Sequence, residues 1–150
     1  MICVQENDFD HGYEYQQLRK DADSDGAIVT FTGLVRDFND DGAVSSIKLE
    51  HYPGMTEKAL MNICSQARQR WELGQVRVIH RIGLIDASEQ IVFVGVSAKH
   101  RQNAFEAAQF IMDYLKTQAP LWKQEGTPQG LKWVEPKSSD ADAVKKWKIT

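Results

Sequence analysis

The segment IVFVGVSAKHRQNAFEAAQFIMDYLK, residues 91–116, decides the fold. Its first six residues, Ile91–Val96, form an unbroken apolar run, which predicts a strand buried on both faces of a sheet. From His100 onward the apolar side chains recur at helical spacing, and Ser97 is expected to cap this helix. The predicted core face of the helix consists of Ala104, Ala107, Ala108, Ile111 and Leu115.

Shorter patterns on both sides of this segment predict the other elements. The first 25 residues are polar and mixed, with a short helix at Tyr13–Arg19, and a second helix is expected at Glu57–Trp71, capped by Thr56. Alternation and β-branched residues predict strands at Ala27–Phe31, Val44–Tyr52, Val76–Ile82, Leu121–Glu125 and Leu131–Glu135. The first two of these strands should pair as an antiparallel hairpin, with a loop at Asp37–Gly42, and the last two as a C-terminal hairpin around GTPQG. The charged tail from Pro136 is expected to end in a short helix.

The order β-β-α-β-β-α-β-β, without repeats or linkers, predicts one domain over residues 1–150. Two main helices on one face of a mostly antiparallel sheet bury the apolar faces of both layers. We therefore expect an α+β fold that ends in the C-terminal hairpin.

Composition narrows the classes of function. The net charge is −3, with 42% hydrophobic and 26% charged residues, which gives no basic field for nucleic acid. No apolar run approaches the ~20 residues of a membrane span, and the N-terminus lacks signal-peptide features, so the cytoplasm is the expected location. Cys3 and Cys64 have no metal-ligand spacing and no partner cysteine nearby in sequence. If the protein handles sulfur, neither cysteine is expected to carry it.

Cations mark both ends of the long helix. Arg101, Phe105, Met112 and Lys116 fall within about 60° of one another on a helical projection, on the margin between core and solvent. A half-buried ammonium there could serve acid–base chemistry, although such side chains often only extend their charged ends into water. His100 and Arg101 at the helix start form an anion site in outline, or an ordinary solvated helix end.

A second group of cations lies further along the chain. Lys116 and Lys123 are separated by Pro120, which ends the helix, so the two ammonium groups could converge and lower each other's pKa; alternatively, both are solvated. Arg36 follows a strand and could face a ligand crevice, or stand alone in a solvated loop. His51 and His80, on the apolar faces of their strands, are predicted to be hydrogen-bonded core residues without a catalytic role.

The chain resembles the large, catalytic subunit of molybdopterin synthase, the MoaE family. The resemblance runs from about residue 26 to 135, whereas residues 1–25 and 138–150 match weakly. It rests on FTGLVR (31–36), LEHYPGMTEKAL (49–60), HRIG (80–83), IVFVGVSAKHR (91–101) and FEAAQFIMDYLKTQAPLWK (105–123). It implies an α/β hammerhead-like fold.

The resemblance also implies a reaction and its partners. The family transfers sulfur from the C-terminal Gly-Gly thiocarboxylate of a small ubiquitin-like subunit to a cyclic pyranopterin monophosphate, precursor Z. The product carries the dithiolene of the molybdenum cofactor. Two large subunits form a dimer with a small subunit at each end, a heterotetramer. We expect no metal and no cofactor of the subunit's own.

Site residues follow from the same resemblance. Lys116 and Lys123 match the two lysines held to be essential, and the implied hypothesis is that Lys116 orients the thiocarboxylate and moves protons while Lys123 assists. The substrate-binding set implied by the match is Arg36, His100, Arg101, Phe31, Met112 and Lys137, some of it supplied across the dimer interface. Lys137 stands where related sequences often carry arginine, so a bidentate phosphate contact would be lost there.

Two functions of other classes stay open at this point. A non-catalytic module could use the same cations only to hold a phosphate ester, and would bind the pterin without transferring sulfur. A docking subunit for a ubiquitin-like partner would be indifferent to changes at Arg36, His100 and Arg101. A metal enzyme is disfavoured because the sequence has no ligand cluster.

Overall fold

The computed structural model describes residues 1–39, 42–135 and 137–148. Its helices are α1 (His11–Lys20), α2 (Met55–Arg70), α3 (Arg101–Gln118) and α4 (Ser138–Lys145), with a 3₁₀ turn at Lys146–Lys148. Its strands are β1 (Ile2–Gln5), β2 (Ala27–Leu34), β3 (Phe38–Asn39), β4 (Gly42–Ala43), β5 (Ser46–His51), β6 (Val76–Arg81), β7 (Gly83–Asp86), β8 (Gln90–Ala98), β9 (Leu121–Thr127) and β10 (Gly130–Val134). None of the described helices is long and apolar enough to cross a membrane.

The first sheet has the strand order β1-β6-β8-β2 and carries the main core. As predicted, β8 is central and buried, paired with β6 on one side and β2 on the other. Helices α2 and α3 pack on one face through a cluster that includes Leu60, Phe110 and Ile111. Helix α1 covers the other face, where Leu18 meets Phe93. The α+β class is therefore confirmed.

Strand β1 was not foreseen, because four residues at a terminus carry too little pattern to separate a strand from a loop. It pairs in parallel with β6. The N-terminal ammonium of Met1 donates a hydrogen bond to the carbonyl of Val76 at 2.8 Å and ties the strand down.

The predicted hairpin between Ala27–Phe31 and Val44–Tyr52 is wrong. Strand β2 pairs with β8 in the first sheet, whereas β5 joins a second sheet of order β10-β9-β5-β7. This second sheet has its own small core of Val35, Val44, Ile47, Leu49 and Ile85. Alternating patterns specify the buried face of a strand but do not choose its partner, so one predicted sheet became two.

The C-terminal hairpin is confirmed: β9 and β10 are antiparallel, β9 continues to Thr127, and β10 keeps its expected length but begins one residue earlier, at Gly130. The predicted loop at Asp37–Gly42 contains the short pair β3 and β4, and Asp40 and Asp41 within it lie outside the described residues. The tail does contain a helix, α4, although Pro136 and residues 149–150 are likewise outside the described part of the chain.

Both predicted helix caps are wrong. Gly54, at φ 82°, precedes α2, and Thr56 lies inside the helix, where its hydroxyl donates to the carbonyl oxygens of Tyr52 and Pro120. His100 is the cap residue of α3, whereas Ser97 belongs to β8 and donates to a carboxylate oxygen of Asp25 at 2.7 Å. In both cases the hydroxyl finds a partner distant in sequence that the local pattern does not reveal.

The C-terminal segment covers a side of α3 that lies outside its predicted core face. Asp113 is only 7% exposed, and it accepts a hydrogen bond from the indole of Trp147 at 2.7 Å. The Trp147 ring also packs edge-to-face on Phe110 and Trp71. Helix α3 is therefore buried on more of its circumference than its amphipathic pattern predicts.

Candidate active site

The start of α3 presents cations beside a cavity of about 420 Å³, which is lined by Gly26, Lys99, His100, Arg101 and Gln102. His100 and Arg101 are both exposed, and the His100 side chain makes no capping bond, so it remains available to a ligand. Lys99 adds less charge, since it forms an ion pair with Glu72 at 3.4 Å. Free helix N–H groups beside these side chains favour an anion such as phosphate.

Gly26 shapes the rim of this cavity. Its N–H donates to the carbonyl of Ala98 at 3.0 Å. A Cβ at this position would come 2.6 Å from the carbonyl oxygen of Lys99, which is backbone and cannot swing aside. A residue without a side chain is therefore needed for the strand end and the helix start to meet here.

A second cationic group surrounds Lys123 on β9. Lys123 is half-buried, and burial is the main cause that lowers its pKa below the ordinary value. The positive charges of Lys116, Lys137 and Arg36 lower the pKa further, while Glu125 opposes them. Three other predicted site residues, Lys116, Lys137 and Arg36, therefore lie close enough for their charges to act on Lys123.

The two lysines differ in burial. Of the two readings that the sequence left open for Lys116, in the last turn of α3, the structure shows the exposed side chain. Lys123 is the desolvated amine, because its strand position opposite Leu49 turns its side chain toward the inner face of the second sheet. A lysine with a lowered pKa can exchange a proton closer to neutral pH than a solvated one.

Glu125 is a member of this group that sequence analysis missed. It lies two residues after Lys123, on the same face of β9, and is half-buried. Its carboxylate accepts a hydrogen bond from the Asn39 side-chain amide at 2.8 Å, across 86 positions of chain. The period-2 spacing from Lys123 was the available signal, but it has meaning only once the face of the strand is known.

His80, near the end of β6 in the first sheet, is buried. Its Nδ1 forms a 2.7 Å hydrogen bond with the carbonyl oxygen of Arg81, which confirms the prediction of a hydrogen-bonded core residue. Burial lowers its pKa to about 4, and the charge of Lys116 contributes to that lowering. The imidazole is therefore neutral at pH 7.

The predicted site residues form two separate groups within one chain. Arg101 and Lys116 are 15 positions apart on the continuous helix α3, which corresponds to about 22 Å along its axis. Phe31, 43% exposed on the edge strand β2, and the half-buried Met112 lie between these two ends. The exposed Lys137 belongs with the Lys123 group, although an arginine was the expected residue there.

Comparison with known proteins gives consistent matches over nearly the whole chain. The model of the family described as MoaE protein matches residues 4–118. The molybdopterin synthase catalytic subunit of Escherichia coli is 57% identical over 146 residues, covering 97% of each sequence. A solved structure of the molybdopterin biosynthesis MoaE protein from Burkholderia ambifaria is 44% identical with a TM-score of 0.86, covering 100% of this chain and 99% of that one. A molybdopterin synthase structure from Staphylococcus aureus is 28% identical with a TM-score of 0.80, covering 88% of this chain and 95% of that one.

Proposed function

Because the chain belongs to the MoaE protein family, we propose that it is the catalytic subunit of a molybdopterin synthase. It transfers sulfur from the C-terminal thiocarboxylate of a small ubiquitin-like subunit to a cyclic pyranopterin monophosphate. The product carries the dithiolene of the molybdenum cofactor. The observation that supports this best is the half-buried amine of Lys123, whose pKa is lowered by burial and by the positive charges of Lys116, Lys137 and Arg36.

Both reactants carry negative charge, and the two cationic groups suit them separately. The phosphate ester fits the start of α3, where His100 and Arg101 stand beside the cavity and the helix dipole favours an anion. The thiocarboxylate of the incoming peptide end fits the Lys116 and Lys123 group. There the cations hold the sulfur anion in place, and the amine with the lowered pKa moves protons during attack on the pterin side chain.

A single ligand cannot span both groups on one chain, since about 22 Å separates them along α3. We therefore propose that each active site combines the Lys116 and Lys123 group of one protomer with His100 and Arg101 of its partner. This requires a dimer with twofold symmetry, in which each interface residue set occurs twice. Phe31 and Met112 would then line the pocket between the two cationic groups.

The direct test supplies the protein with thiocarboxylated small subunit and precursor, and detects the dithiolene product by mass spectrometry. Lys116→Ala should abolish the product while circular dichroism stays unchanged, and Lys20→Ala, an exposed lysine on α1, serves as the matched control. Near-normal turnover by Lys116→Ala would overturn the role of that lysine. Pterin binding without sulfur transfer by the unaltered protein would favour the phosphate-binding module instead.

A further inference from the structure

The buried imidazole of His80 has one ring nitrogen without a protein partner. A carbonyl oxygen can only accept, so the 2.7 Å bond to Arg81 places the proton of the neutral ring on Nδ1. Nε2 is then left with a free lone pair. None of the described residues forms a hydrogen bond with it.

The strand register shows which way this ring points. Val76, Val78 and His80 alternate along β6, and the two valines belong to the core cluster that β6 and β8 share with α2 and α3. His80 pairs with Val92, a residue of the same cluster, at the end of the sheet where α3 terminates. The imidazole therefore lies on the face of the sheet that α2 and α3 cover, at the end where α3 terminates, and it is close enough for the charge of Lys116 in the last turn of α3 to act on it.

Lys116 needs an orienting partner. It is exposed, and among the described residues no carboxylate forms an ion pair with it. A lysine side chain without a partner samples many rotamers, and fixing it costs conformational entropy. The nearby cation Lys123 repels its ammonium group and cannot provide that anchor.

We propose that His80 is a positioning residue for sulfur transfer: its Nε2 accepts a hydrogen bond from the Lys116 ammonium when the peptide end of the small subunit occupies the site. The inference rests on the proposed role of Lys116. A neutral acceptor suits this purpose better than a carboxylate, because it orients the ammonium without cancelling the positive charge that the thiocarboxylate requires. The burial and low pKa of His80 keep the ring in this neutral form.

Two substitutions separate this role from a structural one. His80→Asn keeps a donor close to the position of Nδ1, and so keeps the bond to the Arg81 carbonyl, but removes the Nε2 acceptor. His80→Gln reaches the position of Nε2 with a polar group and gives up the Nδ1 bond. His11→Asn is the matched control, because His11 is on α1 at the opposite face of the sheet and contacts Thr30.

In steady-state assays, His80→Asn should lower kcat about tenfold, since small displacements of a reacting group cost that much or more. KM for the pterin should be unchanged, because the phosphate is held at the other cationic group. His80→Gln should recover most of the rate. Wild-type kcat in His80→Asn, or an equal loss in both variants, would overturn the proposal. If Lys116→Ala is itself active, the role of Lys116 fails first, so the two failures are distinguishable.

A spectroscopic measurement does not depend on turnover or on variants at His80. In the complex with the small subunit in its carboxylate form, the ¹⁵N signal of His80 Nε2 should move upfield from that of the free protein, as expected for a lone pair that gains a donor. In Lys116→Met the same complex should leave the signal in place. No movement in the wild-type complex, or equal movement in Lys116→Met, contradicts the inference.

Discussion

Two inactive variants should restore each other's activity if each site is shared between protomers. Arg101→Ala removes the guanidinium group that is proposed to bind the phosphate. Lys116→Ala removes the ammonium group at the other end of α3, about 22 Å away along the helix axis. In a mixed dimer, one site receives both intact residues and the other receives both defects. Random pairing makes about half of all dimers mixed, each with one working site, so the mixture should reach about a quarter of the wild-type rate.

The assay co-refolds the variants in equal amounts and measures dithiolene formation with thiocarboxylated small subunit. The matched control mixes Lys116→Ala with Lys123→Ala, whose defects lie in the same cationic group, so every mixed site keeps one defect and no recovery is expected. A mixture of Arg101→Ala and Lys116→Ala that is no more active than its components, although mixed dimers are present by mass, would refute the shared site.

Three further outcomes follow from the packing and charges. Lys123→Met should lose activity but match or exceed the wild-type thermal midpoint at pH 7, because it removes a desolvated ammonium from a cationic group. Since the pKa of Lys123 is lowered in the folded protein, the difference in thermal midpoint between Lys123→Met and wild type should shrink as the pH rises from that pKa toward 10.5, where the unfolded lysine also loses its proton. Trp147→Ala should lower the free energy of unfolding by about 2–4 kcal/mol in chemical denaturation, since ring packing is lost and the buried carboxylate of Asp113 loses a hydrogen-bond donor. Trp147→Phe should lose less, because it keeps part of the ring packing. Gly95→Ala should cost about 1–3 kcal/mol by the same measurement, because its Cβ would collide with the fully buried side chain of Leu18.

Local patterns were sufficient for the features that depend on neighbouring residues. The apolar run at Ile91–Val96 predicted the central strand β8, and helical spacing predicted α3, because burial of a continuous apolar surface dominates the choice of local structure. The C-terminal hairpin followed from its turn residues in the same way. The long motifs, rather than any spacing of ionisable groups, indicated the family.

Contacts between distant parts of the chain settled what these patterns left open. Strand β2 pairs with β8 and not with the strand expected in the hairpin. An alternating pattern specifies which face of a strand is buried, and that requirement is met equally well beside any neighbouring strand of the sheet. Lys123, not Lys116, became the desolvated amine, because burial depends on which sheet face packs inward. Asp113 was covered by Trp147 from 34 positions away. Charge and periodicity are properties of the chain, whereas desolvation, strand pairing and the distance between two cationic groups arise only when remote segments pack together.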